Sequence, residues 1–128
     1  MMTGTVPTIN GGTLRIDQAA HAAVAGMGNV FADPIIVGQR ACSEQLTTLL
    51  VDVYETLEAG GRMTPHDVRI RARELAKALK PHLYDADLWG STETSTEAIR
   101  RRVEKAVAAA IRLVVLEFEA KAVIPHEC

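Results

Sequence analysis

The residues best suited to hold a metal or act as a nucleophile in this chain are four histidines, two cysteines and a scatter of helix acids. A catalytic zinc site needs three convergent protein ligands, often including two histidines four residues apart on one helix. No such pair exists: His66 stands beside Asp67, His82 precedes Asp85 and Asp87, and His126 and Cys128 close the sequence. The run His82-x-x-Asp85-x-Asp87 has ligand-type residues but reads as a solvated polar turn, so no metal site and no cofactor are expected. Cys42 would need a neighbouring base and a depressed pKa to attack a substrate. It falls instead on the apolar stripe of a helix, where a free cysteine behaves as a small hydrophobe. The sequence has no Gly-x-Ser-x-Gly elbow, phosphate-binding loop or dinucleotide fingerprint, and Gly11-Gly12 and Gly60-Gly61 read as turns.

Asp52, Glu55 and Glu58 recur at i, i+3 and i+6, a pattern compatible with a metal-dependent helical nucleotide hydrolase. No second acidic helix answers them, and a solvated face accounts for them more simply. The basic residues are less evenly spread. Segment 62–82 carries six basic against two acidic residues and segment 99–112 five against one, so eleven of the chain's fourteen Lys and Arg lie there. If the two helices adjoin, Arg69, Arg73, Lys77, Lys80, Arg100, Arg101 and Arg102 would face nucleic acid or an acidic protein as one positive surface. The competing account is two ordinary charged helix faces, partly neutralised by i, i+4 partners such as Asp67 with Arg71. No helix-turn-helix signature or aromatic stacking platform singles out nucleic acid.

Positioning these residues falls to a small set of helices. Asp17 is placed to cap a short alanine-rich helix to Gly26. Asp33-Pro34 reads as cap and first residue of a helix over 34–59, with Ile35, Cys42, Leu46, Leu49, Leu50, Val53 and Leu57 on one face. Thr64-Pro65 opens a helix over 65–80 that buries Val68, Ala72, Leu75, Ala76 and Leu79. Residues 82–95 read as a loop anchored by Trp89. Thr94-Ser95-Thr96-Glu97 then fits a capping box opening a helix over 95–121, with Ile99, Val103, Ala106, Ala110, Leu113 and Val114 as its stripe. A strand over 111–118 is the alternative there, because β-branched residues cluster in it. Residues 1–16 read as an N-terminal arm, either extended or a hairpin turning at Asn10-Gly11-Gly12. The remainder, 17–128, reads as one helical domain, so the expected fold is an all-α bundle of three main helices.

Composition agrees with that class. The chain has 128 residues, 48% apolar and 23% charged, with only 4% aromatic, so its core must be built from Ala, Val, Leu and Ile. A formal charge of −2 argues against a polyanion binder that uses its whole surface. Two widely separated cysteines make no disulfide framework, and no secretory signal or lipidation motif is evident, so an intracellular, non-membrane protein is expected.

Within the last helix, ten of the eleven residues from Ala106 to Leu116 are apolar and the exception is Arg112. The narrow stripes elsewhere can cover one side of such an element. Ala108, Arg112, Val115 and Leu116 are left on the other, as a sticky face holding one charge. The leading expectation is therefore a non-enzymatic assembly or adaptor subunit, a homo-oligomer or a component of a larger ring- or virion-type machine. The binder of nucleic acid or acidic protein and the hydrolase stand behind it.

Overall fold

The structure is a computed structural model and describes residues 8–9, 14–89 and 95–123. The first described elements are two short strands, β1 (Thr8–Ile9) and β2 (Leu14–Arg15), paired antiparallel with Thr8 opposite Arg15 and Ile9 opposite Leu14. Helix α1 (Ile16–Gly26) follows without a break. It starts before the position expected from Asp17, because Ile16 is itself helical and fully buried. Asp17 lies in the first turn, where its hydrogen-bonded pairing with Arg15 chiefly, and the Gln18 amide from which it accepts at 3.0 Å to a lesser degree, hold its carboxyl below the ordinary value. Gly28, at φ +73°, turns the chain out of α1.

Helix α2 (Ile35–Glu58) has Pro34, at φ −78° and ψ 130°, as its extended N-cap residue, and no side chain caps it. The expected cap at Asp33 is thus wrong by one register, since Pro34 stands outside the helix and its carbonyl receives the Val37 and Gly38 amides. The other end is as expected, and its hydrogen bonds form a Schellman motif. Gly60 takes the left-handed conformation (φ +90°), its amide reaches Leu57 O at 3.1 Å, and the Gly61 amide reaches Thr56 O at 2.9 Å. A Cβ on Gly61 would stand 2.8 Å from Thr56 Cγ2, so the second glycine is required by close approach.

Helix α3 (Pro65–Ala78) opens with a reciprocal capping box. Thr64 Oγ1 accepts from the Asp67 amide at 3.1 Å and Asp67 Oδ2 accepts from the Thr64 amide at 3.0 Å. All five residues of its expected stripe are buried. A 3₁₀ turn over Lys80–His82 takes up Pro81, and a single helical turn, α4 (Ala86–Trp89), precedes α5 (Thr96–Val123). Ser95 caps α5 by accepting from the Ala98 amide at 3.1 Å, while Glu97 turns to Arg100 and Arg101 instead of reaching back. The expected box is therefore replaced by a plain serine cap. Thr94, the side chains of Asp87 and Trp89, and residues 124–128 with His126 and Cys128 lie outside the described residues. The helix runs unbroken through 111–118, which removes the strand alternative.

Helix α5 packs against α1, α2 and α3, and this is why its middle is apolar nearly all round. Ile99, Val103, Val107, Ala108, Ala110, Ile111 and Val114 are buried. Val107 and Ile111 replace the expected Ala106 and Leu113 because partners lie on more than one side. Each fully buried Val or Ile contributes about 1.5–3 kcal/mol. Side-chain pairings set the directions of the helices. The start of α3 (Met63, Pro65, Val68) meets Arg112, Val115 and Leu116 of α5, whereas its end (Ala76, Lys77, Lys80) meets Ile99 and Arg100. The two are therefore antiparallel. Tyr54 of α2 meets Phe118 of α5 edge-on, with ring centroids 6.0 Å apart, near the C-terminal ends of both helices. Thus α2 and α5 run one way and α1 and α3 the other, in an up-down-up-down arrangement.

The linkers at one end are joined. The Ala32 amide bonds His82 O at 2.9 Å, the Tyr84 amide bonds Val30 O at 2.8 Å, and Phe31 and Leu83 form an isolated antiparallel bridge. Gly38 is buried beneath this junction, where a Cβ would lie 3.1 Å from the Phe31 ring and 3.3 Å from His82 O.

Candidate functional site

Two surfaces carry most of the residues singled out by sequence. The first is the outer ridge of α5. Arg112 and Leu116 are exposed there, Leu116 at 62%, and Val115 is half-buried. With Met63, Pro65 and Val68 they line a shallow groove of about 220 Å³. Leu113 adds a further exposed leucine. Ala108 does not belong to this surface. It is 7% exposed and lines a cleft with Ala72 of α3, so the small side chain serves helix–helix approach instead of a free face.

A second apolar patch is not singled out by the sequence pattern. Ile35, Ile36 and Val37 at the start of α2 are 47%, 67% and 52% exposed, although Ile35 was expected in the core. The signal was present: three successive apolar residues on a helix turn through about 100° each and cannot all face one core. This patch lies at the end of the bundle opposite the α5 ridge. From Val37 to Tyr54, the residue that meets Phe118, the helix rises about 26 Å.

The second surface lies between α3 and the first half of α5. Arg69, Arg73, Arg101, Glu104 and Lys105 wall a cleft of about 230 Å³ floored by Ala72 and Ala108. Farther along the same helix pair, Lys77, Lys80 and Arg100 share a cleft of about 290 Å³ with Asp85. The expected basic surface is thus assembled with one exception and one addition. Arg102 points to the α1–α2 turn, where its Nη1 would be 3.7 Å from a Cβ on Gly28. Lys105, one turn beyond Arg101, takes its place.

The charges are unequally satisfied. Arg100 pairs with Glu97 at 2.6 Å and with Glu104, and Arg101 reaches Glu97 at 3.2 Å. Arg100, as the largest influence, holds the Glu97 carboxyl below its ordinary value. Among the described residues, Arg69, Arg73, Lys77, Lys80 and Lys105 make no ion pair.

The other candidates are individually occupied. Asp52 pairs with Arg71 across α2 and α3, and Glu58 accepts from the Tyr54 hydroxyl at 2.9 Å. Asp85 accepts from the Leu88 amide and the Thr96 hydroxyl, each at 3.0 Å. Among the described residues, no group of three His, Cys, Asp or Glu side chains is placed to hold a metal ion. Cys42 is fully buried with its Sγ 3.9 Å from Met27 Sδ, and burial pushes its pKa up to about 11. No described helix is long and apolar enough to cross a membrane.

Fold and surfaces together define a small all-α bundle with a basic cleft and two exposed apolar ends. No protein-family model, curated protein or solved structure matches the chain.

Proposed function

We propose that this protein is an assembly subunit whose copies associate head to tail, the α5 ridge of one copy seating on the start of α2 of the next. The observation that carries this reading is that five of the seven large exposed apolar side chains among the described residues fall in two separate patches at opposite ends of the bundle, the others being Ile70 on α3 and Leu88 on α4. Leu113 and Leu116 stand at one end, and Ile35, Ile36 and Val37 at the other. A patch that pairs with itself builds a closed dimer, whereas two different patches build a ring or a filament. Charge favours the same pairing: Arg112 sits in the ridge and exposed Asp33 sits two residues before Ile35, neither holding an ion pair among the described residues. The occupant of each patch is thus a second copy of this chain.

Sedimentation velocity between 5 and 100 µM tests the proposal. The expected result is a mass that grows with concentration beyond the dimer. Leu116→Glu and Ile36→Glu should each give monomer, while their helical content stays unchanged. Arg112→Glu should weaken association, and adding Asp33→Arg should recover it. A monomer at every concentration, or a dimer that stops there, would overturn the reading.

A further inference from the structure

We propose that the cleft between α3 and the first half of α5 is a track for the phosphodiester backbone of duplex nucleic acid. Four cations wall its first part, Arg69 and Arg73 on α3 and Arg101 and Lys105 on α5. The single acid among the described lining residues, Glu104, is already bound to Arg100. The floor is alanine on both helices, Ala72 and Ala108, so nothing bulky separates the two cationic walls. Lys77, Lys80 and Arg100 continue the track, and Asp85 beside them is committed to Leu88 and Thr96. Five of these cations, Arg69, Arg73, Lys77, Lys80 and Lys105, make no ion pair among the described residues, so the track can neutralise about five phosphates.

The chain's formal charge of −2 makes this a local property, set against acids that lie elsewhere or are already paired. An acidic protein is the less suitable ligand, because protein interfaces are held by buried apolar or aromatic anchors and the first cleft offers none. Single-stranded nucleic acid needs stacking platforms, and among the described residues lining either cleft Tyr84, half-buried, is the only aromatic. Contacts to the backbone alone carry no base code, so binding is independent of sequence.

The test is fluorescence anisotropy of the full chain with a labelled mixed-sequence 24-base-pair duplex in 50 to 200 mM KCl. With about five phosphates engaged, the salt slope should be near −4.5, a roughly 500-fold loss of affinity over that range. Arg73→Glu with Lys77→Glu should lower affinity at least tenfold at 50 mM and flatten the slope by about 2. Arg40→Glu, an exposed cation on α2, should leave binding unchanged. Circular dichroism of each variant separates lost binding from lost folding. The proposal is overturned if the duplex does not bind or if Arg40→Glu is as damaging as the cleft pair. It is equally overturned if polyglutamate or anionic vesicles bind more tightly than the duplex.

Discussion

Cys42 offers a measurement that reads the packing of α1 against α2 directly. Its thiol is fully buried beside Met27, and burial moves its pKa from 9.0 to about 11. In a Cys128→Ser protein, Cys42 is the only thiol. At pH 8 an ordinary thiol of pKa 9.0 is about one-tenth ionised, while Cys42 is ionised roughly one part in a thousand. The higher pKa makes the thiolate a better nucleophile, with a Brønsted slope of about 0.4–0.5, so ionisation alone leaves only about tenfold protection. Full burial adds more. If the reagent reaches the sulfur only after unfolding, even about 5 kcal/mol of stability slows labelling by roughly 4,000-fold.

The assay is disulfide-reagent labelling between pH 7 and 10, compared with the same protein in denaturant. The native rate should keep rising about tenfold per pH unit beyond pH 9, because the reservoir is a protonated native thiol. By the same linkage, the thiol's contribution to stability is complete below pH 9 and is lost as pH rises toward 11. A native rate within a few-fold of the denatured rate, or a plateau near pH 9, would refute the packing described here.

Two further outcomes follow from the same structure. Ile111→Ala should cost about 2–5 kcal/mol in chemical denaturation because its side chain is fully buried, whereas Leu116→Ala should stay within about 0.5 kcal/mol because Leu116 is largely exposed. Glu97 has its carboxyl pKa lowered chiefly by Arg100, so its stabilising contribution is present above its ordinary value of 4.5 and fades as pH falls below it. Melting curves of the wild type and Glu97→Gln should therefore differ at pH 7 in low salt and converge toward pH 3.

The fold class and the helix bodies were legible in the sequence because their apolar periodicity and punctuation agree. Gly60-Gly61 and Thr64-Pro65-His66-Asp67 each admit one local structure, and the chain adopts it. The errors arose where tertiary partners decide. The stripe of α5 could not be fixed from residues 106–116, since an element apolar nearly all round has no preferred face until three neighbours are placed around it. Ala108 reads as outward-facing for that reason. At the start of α2, Asp33-Pro34 resembles a cap, but the extended Pro34 backbone moves the helix start one residue on. The basic surface was half legible. Spacing along α3 shows its stripe, whereas exchanging Arg102 for Lys105 requires the rotation of α5 about its own axis.

The junction between the two linkers bears on how the molecule opens. Val30–Ala32 and His82–Tyr84 lie about 50 residues apart in sequence, yet each supplies both a donor and an acceptor to the other. Neither strip of backbone can leave without orphaning the amides of its counterpart. Hydrogen exchange at Ala32 and Tyr84 should therefore share one opening free energy, making these amides a paired reporter of a single cooperative unit.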